Sequence, residues 1–196
     1  NVVSFLNLGL AGFVIAAIAA RFVFPAMSIE GRVMWLVRSS PIDIRTIFWS
    51  KYWVGTLPLL LIAVPLIVGT NLVLEASPFI TILTSLTMVG VTFALTSLAL
   101  GFGALYPNYE TENVAEIPTS FGGLLFMMAA VSYLGGVVIL EAWPVYLYLN
   151  GRVMGSDVGV GSVPLLMGIA GAAILTVLAI WLPLHAGIRK VRTTEL

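Results

Sequence analysis

Long apolar runs separated by short polar segments dominate this chain. Five of these runs are long enough to form membrane-crossing helices, because a hydrocarbon core about 30 Å thick needs roughly 20 apolar residues per helix. The pattern therefore predicts an all-α, polytopic membrane protein with about five transmembrane helices. The predicted spans are residues 2–24, 53–74, 79–105, 119–140 and 163–184.

The composition agrees with this prediction and excludes several other classes of protein. Of the 196 residues, 60 % are hydrophobic and 9 % are charged, the net charge is zero, and cysteine is absent. A soluble domain usually has roughly a quarter charged residues, so a soluble enzyme is excluded, and a disordered chain is too. No nucleic-acid partner is expected without a basic excess. The absence of cysteine excludes thiolate metal sites.

The basic residues indicate which ends of the spans face the cytoplasm. Eight of the nine Lys and Arg residues fall on one side of the predicted spans, and only Arg152 falls on the other. Short segments rich in Lys and Arg face the cytoplasm. The predicted cytoplasmic segments are residues 25–52, 106–118 and 185–196, and the predicted outer segments are residues 71–78 and 141–162.

The segment between the first two spans, residues 27–52, is predicted to form an amphipathic cytoplasmic elbow. Its first part has apolar residues on one helical stripe, which favours a helix along the membrane surface. Ser40 as N-cap, Pro41 at the first helical position and Asp43 then predict a second helix that continues through Trp49 into span two. The elbow either only turns the chain or is a coupling helix that transmits force from a soluble partner. The stripe consists of Ile29, Val33, Leu36 and Val37.

The run SIEGRVMWLVRSSPIDIRTIFWSKYW resembles the cytoplasmic elbow of type-2 ATP-binding-cassette exporter permeases, in particular a group of large bacterial and archaeal permeases. A second block, ENVAEIPTSFGGLLFM, is similar to a block of the same group, with Val114 where that pattern has Pro. Together the blocks and their spacing cover about residues 20–130. The matching residues are Ser28, Glu30, Gly31, Arg32, Arg38, Ser39, Pro41 and Lys51 in the first block, and Glu112, Asn113, Ala115, Ser120, Gly122 and Gly123 in the second.

The resemblance implies a permease subunit that is not itself an enzyme and holds no cofactor. It implies a separate ATP-binding-cassette ATPase subunit that binds ATP and magnesium, and a second permease copy or half. It also implies a multi-pass position in a prokaryotic cytoplasmic (inner) membrane. In agreement, the sequence has no G-x-x-x-x-G-K-[ST] phosphate loop. The residues expected to couple to the partner are Glu30, Gly31, Arg32, Arg38, Pro41, Asp43, Arg45 and Lys51.

The position of the elbow also bears on the extent of the chain. In the permeases that this sequence resembles, a half has about six spans, and the main coupling helix follows the second span. Here only one predicted span precedes the elbow, and the sequence begins at Asn1 without Met. We therefore expect this chain to be the C-terminal part of a longer permease.

Two further sets of polar residues are candidate sites with simpler alternatives. The inner loop at 106–118 has three carboxylates and no Lys or Arg, so it could bind a divalent cation or contact a basic partner, although a solvated loop is the better explanation. The third span has a hydroxyl stripe that could line a translocation pathway or serve as packing surface between helices. The loop carboxylates are Glu110, Glu112 and Glu116, and the hydroxyl residues are Thr81, Ser85, Thr92 and Thr96.

The remaining polar features limit the possible functions. No charged side chain is expected deep inside a span, which argues against a proton pump or ion-coupled carrier. His185 is interpreted as an interfacial residue, and residues 143–149 as a short surface or re-entrant helix at the outer side. A structural or assembly subunit of a larger membrane complex stays the alternative to a permease. An intramembrane enzyme is disfavoured, because no paired Asp, His-Glu zinc motif or Ser/Lys dyad occurs within a span.

Overall fold

The computed structural model describes residues 2–29, 43–108, 114–154 and 163–193. These residues are mostly helical and contain no strand. Five helices are long and apolar enough to cross a membrane, which confirms the fold class predicted from the hydrophobic pattern. The elements are α1 (Val2–Phe22), α2 (Ala26–Ile29), α3 (Ile44–Val73), α4 (Pro78–Leu105), a 3-10 helix (Val114–Thr119), α5 (Phe121–Met154) and α6 (Val163–Thr193).

Helix α4 occupies the centre of the bundle. It contacts α1, α3, α5 and α6, and every residue from Ala94 to Gly101 is buried. Helix α6 is at the other extreme, since only 11 % of its central apolar window is buried. We call the end of the bundle near Phe24, Lys51 and Tyr106 the inner end and the end near Thr70 and Pro78 the outer end, following the predicted orientation.

Local capping residues define where two of the membrane helices begin. Ser77 has an extended backbone, and its hydroxyl accepts a hydrogen bond from the Ile80 N–H. Pro78 then takes the first helical position, where a missing N–H has no cost. Ser120 accepts from the Gly123 N–H at 3.4 Å and begins α5, as the sequence predicts for this region.

The elbow's second helix begins later than predicted. Asp43 has extended backbone angles (φ −64°, ψ 132°), and its carboxylate accepts the Arg45 N–H at 3.2 Å. Asp43 is therefore the N-cap of α3, and a helix that starts at Pro41 and runs through this position is excluded. From Ile44 onward the helix is continuous through Trp49 into the second span, which confirms that part of the prediction.

The prediction of a short surface or re-entrant helix at residues 143–149 is wrong, because these residues continue α5. Pro144 lies inside the helix and cannot donate to the carbonyl of Leu140 four residues before it. Gly168 of α6 packs against that carbonyl oxygen, so closely that a Cβ there would lie 2.8 Å from it. Neighbouring helices commonly compensate proline in this way within membranes, and α5 therefore passes the proline without a break.

Candidate functional site

Much of the predicted coupling surface lies outside the described residues. Asp43, Arg45 and Lys51 are described and all belong to the start of α3. Glu116 lies exposed on the 3-10 helix before α5. The partner-coupling role of these four residues stays a prediction. The residues outside the described part are Glu30, Gly31, Arg32, Arg38 and Pro41 of the elbow, the stripe residues Val33, Leu36 and Val37, the cap Ser40, and the loop carboxylates Glu110 and Glu112.

Lys51 joins the two membrane helices that flank the elbow. Its ammonium group donates a hydrogen bond to the carbonyl oxygen of Ala26 at 2.6 Å. Ala26 is the first residue of α2, the short helix through which the chain leaves the first span. A hydrogen bond from a charged donor is about twice as strong as a neutral one. Helix α2, which forms the base of the elbow, is therefore attached to α3.

Ser28 joins the same base to the segment that follows α4. The backbone N–H of Asn108 donates to the Ser28 hydroxyl at 3.1 Å, although the two residues are 80 positions apart. Ser28 is only 6 % exposed, so water does not readily compete for this bond. With the Lys51 bond, it links α2 both to α3 and to the segment that follows α4.

Close backbone packing surrounds these two hydrogen bonds. Phe24 is fully buried, and its ring stacks on Phe126 of α5 with 6.0 Å between centroids. The carbonyl oxygen of Phe24 lies against Gly103 of α4, where any Cβ would overlap it. The end of the first span is therefore in direct contact with α4 and α5.

Two glycines of the second matching block permit the start of α5 to pack closely. A Cβ on Gly122 would lie 2.5 Å from the Cβ of Tyr106, and one on Gly123 would overlap the carbonyl of Pro118. Tyr106 also packs edge-on against Phe121, with ring centroids 5.8 Å apart. Glycine at these positions is thus required by the approach of neighbouring chain segments.

Of the four residues in the hydroxyl stripe of the third span, two are buried and two are partly exposed. Thr92 and Thr96 are fully buried and donate to carbonyls of their own helix, at 2.8 and 2.9 Å. Thr81 is half-buried, and the buried hydroxyl oxygen of Ser85 has no hydrogen-bond partner among the described residues. None of these four residues lines the groove between α1 and α3 or the groove between α3 and α6. Their pathway-lining role stays a prediction.

A buried carboxyl group corrects the expectation that no charged side chain lies inside a span. Glu141 is 2 % exposed and lies within the apolar segment of α5 that is long enough to cross a membrane. Its Oε1 accepts a 2.6 Å hydrogen bond from the Thr87 hydroxyl of α4. The Oε2 atom is buried without a hydrogen-bond partner in the described part of the chain. Sequence reasoning missed this residue because it ends an apolar run beside Trp143, a pattern that suggested an outer boundary.

Further polar side chains connect helices near the outer end. The amide of Asn7 donates to Thr70, joining α1 to α3, and the amide of Asn71 donates to Thr84 in α4, both at 2.7 Å. Side-chain hydrogen bonds of this type hold membrane helices together. Hydrogen bonds between side chains thus join helices at the outer end, beside the close packing of Gly168 on α5.

A comparison with protein-family models shows the family to which this chain belongs. The family model described as "Putative ATP-binding cassette" matches residues 1–196. The chain belongs to this ATP-binding-cassette family. Neither the curated proteins nor the solved structures gave a match to the sequence.

At the inner end of this ATP-binding-cassette chain, the described contacts connect several helices to one another. Its described contacts are hydrogen bonds to backbone atoms, glycine-mediated close packing and stacked aromatic rings. Within the described ranges, no group of three or more His, Cys, Asp or Glu side chains could hold a metal ion. A displacement of α2 would therefore be passed to several membrane helices.

Proposed function

We propose that this chain is the transmembrane permease subunit of an ATP-binding-cassette exporter in a prokaryotic cytoplasmic membrane. A separate ATPase subunit binds ATP and magnesium, and a second permease copy or half completes the transporter. Family membership and five apolar helices of membrane-spanning length support this proposal. ATP binding, which the family description names, is assigned to the partner, because this sequence has no phosphate loop.

The observation that carries the proposal is the pair of hydrogen bonds at the base of the elbow. Lys51 holds the carbonyl of Ala26, and Ser28 holds the N–H of Asn108. A partner that displaces the elbow would therefore pull at once on α3 and on the segment that follows α4. A segment that merely turned the chain would not need links to both of these parts of the molecule.

The contacts below the elbow extend this path into the bundle. Phe24 would transmit displacement to α4 through its carbonyl contact with Gly103, which is too close to slide freely, and to α5 through ring stacking on Phe126. Helices α4 and α5 meet again at the outer end through Thr87 and Glu141. Closure of the ATPase subunits would thus alter a helix pair that spans the membrane, as alternating access requires.

Purification of the tagged full-length protein with the ATPase encoded at the same locus tests the proposal. We expect an ATPase to co-purify and to hydrolyse ATP in proteoliposomes. Glu30→Ala and Arg38→Ala should lower complex recovery or the ATPase rate, because both residues belong to the predicted coupling surface. Arg152→Ala is the matched control, since it removes a basic residue from the predicted outer side.

Two results would overturn the permease assignment. One is that no ATPase co-purifies from native membranes under conditions that keep the five-helix protein monodisperse. The other is that Glu30→Ala and Arg38→Ala leave both complex recovery and ATPase rate equal to those of Arg152→Ala. Either result would favour a structural or assembly subunit of a larger membrane complex.

A further inference from the structure

A groove of about 420 Å³ lies between the start of α3 and the inner half of α6. Along α6 its wall is apolar, formed by Val177, Ile180, Leu184 and Ile188. This wall runs for roughly three helical turns, since these residues recur at spacings of three and four. The apolar part is therefore long and narrow.

The inner part of the same groove is aromatic and basic. Arg45 and Trp49 line it from α3, and Trp181 and His185 line it from α6. All four side chains are exposed, and the Trp181 and His185 rings stack with centroids 5.2 Å apart. Arg189 is also exposed and lies one turn after His185 on the same helix face. The groove thus changes from apolar to cationic toward the inner end.

Tight packing beside the groove fixes its two walls. A Cβ on Gly187 would come within 3.2 Å of the Phe48 ring and 3.3 Å of the Ala104 Cβ. One turn earlier, Pro183 packs directly against Gly101 of α4. Because α6 is held against α3 and α4 along this line, the groove exists before any ligand enters it.

We infer that this groove binds one anionic phospholipid of the inner leaflet. The acyl chain would lie along the apolar wall of α6, and the headgroup phosphate would meet Arg45, whose guanidinium matches phosphate geometry. Tryptophan is enriched at headgroup depth, and basic pockets between membrane helices at the cytoplasmic side bind anionic headgroups. The partner contact expected for Arg45 from the sequence stays a separate prediction.

A second groove shows why charge selects this one. It lies between α1 and α3, is larger at about 720 Å³, and is lined mainly by apolar residues such as Phe22 and Ile62. Its basic residue, Lys51, already donates to the Ala26 carbonyl within the protein. The α3–α6 groove instead combines an arginine with two tryptophans and a histidine at its inner end.

Native mass spectrometry of the full-length protein tests the inference. Phosphatidylglycerol and phosphatidylcholine with identical acyl chains are titrated separately, and we expect preferential retention of phosphatidylglycerol. Arg45→Gln should weaken phosphatidylglycerol binding about fivefold, the effect of one basic residue near an anionic surface. Arg21→Gln is the matched control, because Arg21 is exposed on α1 and outside the groove. Equal retention of the two lipids, or equal losses in Arg45→Gln and Arg21→Gln, would overturn the inference.

Filling the groove provides a second measurement that does not alter charge. Val177→Trp should lower phosphatidylglycerol retention, because Val177 is 62 % exposed and lines the apolar wall. Ile62→Trp fills the larger α1–α3 groove and is the control, with no expected change. Equal retention by these two variants and the unmodified protein would contradict the assignment.

A second copy of the chain is the competing occupant, and a single cysteine distinguishes it. The sequence has no cysteine, so Val177→Cys introduces a unique thiol. Oxidation in native membranes should leave this variant monomeric if lipid fills the groove. Efficient disulfide-linked dimers would overturn the lipid inference. Neither outcome involves the ATPase partner, so the lipid inference and the permease proposal can fail separately.

Discussion

The hydrogen bonds that join the helices differ between the two ends of the bundle. At the inner end the contacts reach backbone atoms: Lys51 binds the carbonyl of Ala26, and Gly103 receives the carbonyl of Phe24. Lys190 likewise donates to the backbone carbonyl of Leu105. At the outer end, hydrogen bonds between side chains join the helices, in addition to the close packing of Gly168 against the Leu140 carbonyl. The outer pairs are Asn7 with Thr70, Asn71 with Thr84, and Thr87 with Glu141.

This difference has a mechanical consequence. Contacts that depend on close backbone approach are lost only when whole helices separate, since packed interiors transmit strain and are hard to compress. Side-chain hydrogen bonds between membrane helices are individually weak and can be exchanged for other partners. Under the permease proposal, the inner end would relay a displacement and the outer end would open and close.

Gly103→Ala should break the inner end and gives the largest expected effect. The new Cβ would overlap the Phe24 carbonyl, a backbone atom that cannot rotate away. We expect a loss of about 3 kcal/mol in the free energy of unfolding, measured by denaturant titration in detergent. Gly135→Ala is the control, because a Cβ there meets no atom within 4 Å and alanine favours helix. Equal stability of the two variants would refute the close approach at Gly103.

Glu141→Ala should weaken the outer end by less. Removing the carboxyl group leaves the Thr87 hydroxyl without its acceptor, so we expect a loss of about 2 kcal/mol in the free energy of unfolding. Glu141→Gln keeps an acceptor of nearly the same shape and should retain at least half of that stability. The same titration compares the variants. Identical stability of Glu141→Ala and the unmodified protein would mean that the Thr87 bond contributes nothing.

The sequence predicted the helices of this structure better than it predicted which residues contact each other. Five apolar runs were sufficient to identify five helices, since the length and apolar character of each run are enough to predict a membrane span. Pairs such as Ser28 with Asn108 and Thr87 with Glu141 are 80 and 54 positions apart, and only tertiary packing brings them together. An averaged hydropathy also conceals one acidic residue at the end of an apolar run.

Helix ends were predicted less well than the helices themselves. Ser40, Pro41 and Asp43 are all favourable near an N-terminus, so their types did not decide which one caps α3. Pro144 suggested a break in α5, but the glycine of a neighbouring helix accommodates it. In both cases the deciding information is the backbone geometry or a residue on another helix.

Ser28→Ala tests the relay with a modest effect on stability. The variant loses the bond from the Asn108 N–H, so the free energy of unfolding should fall by about 1 kcal/mol. If the elbow relays force, the ATPase rate of the reconstituted complex should also respond less to addition of the permease. Ser50→Ala is the matched control, because its exposed hydroxyl donates to the carbonyl of Ile47 in the same helix. The same ATPase response in both variants would contradict the relay.

The smallest effect is expected at the Asn71–Thr84 pair, where a double-mutant cycle measures the outer contact directly. Asn71→Ala and Thr84→Val should couple by about 0.6 kcal/mol, the average for hydrogen bonds between membrane helices. The Oδ1 atom of Asn71 is buried without a partner among the described residues, which limits the net gain. Thr92→Val is the control, since Thr92 bonds within its own helix and should not couple to Asn71→Ala. A coupling free energy well above that of the Ser28 bond would mean that the outer end is the more firmly held, and the division of roles between the two ends would be reversed.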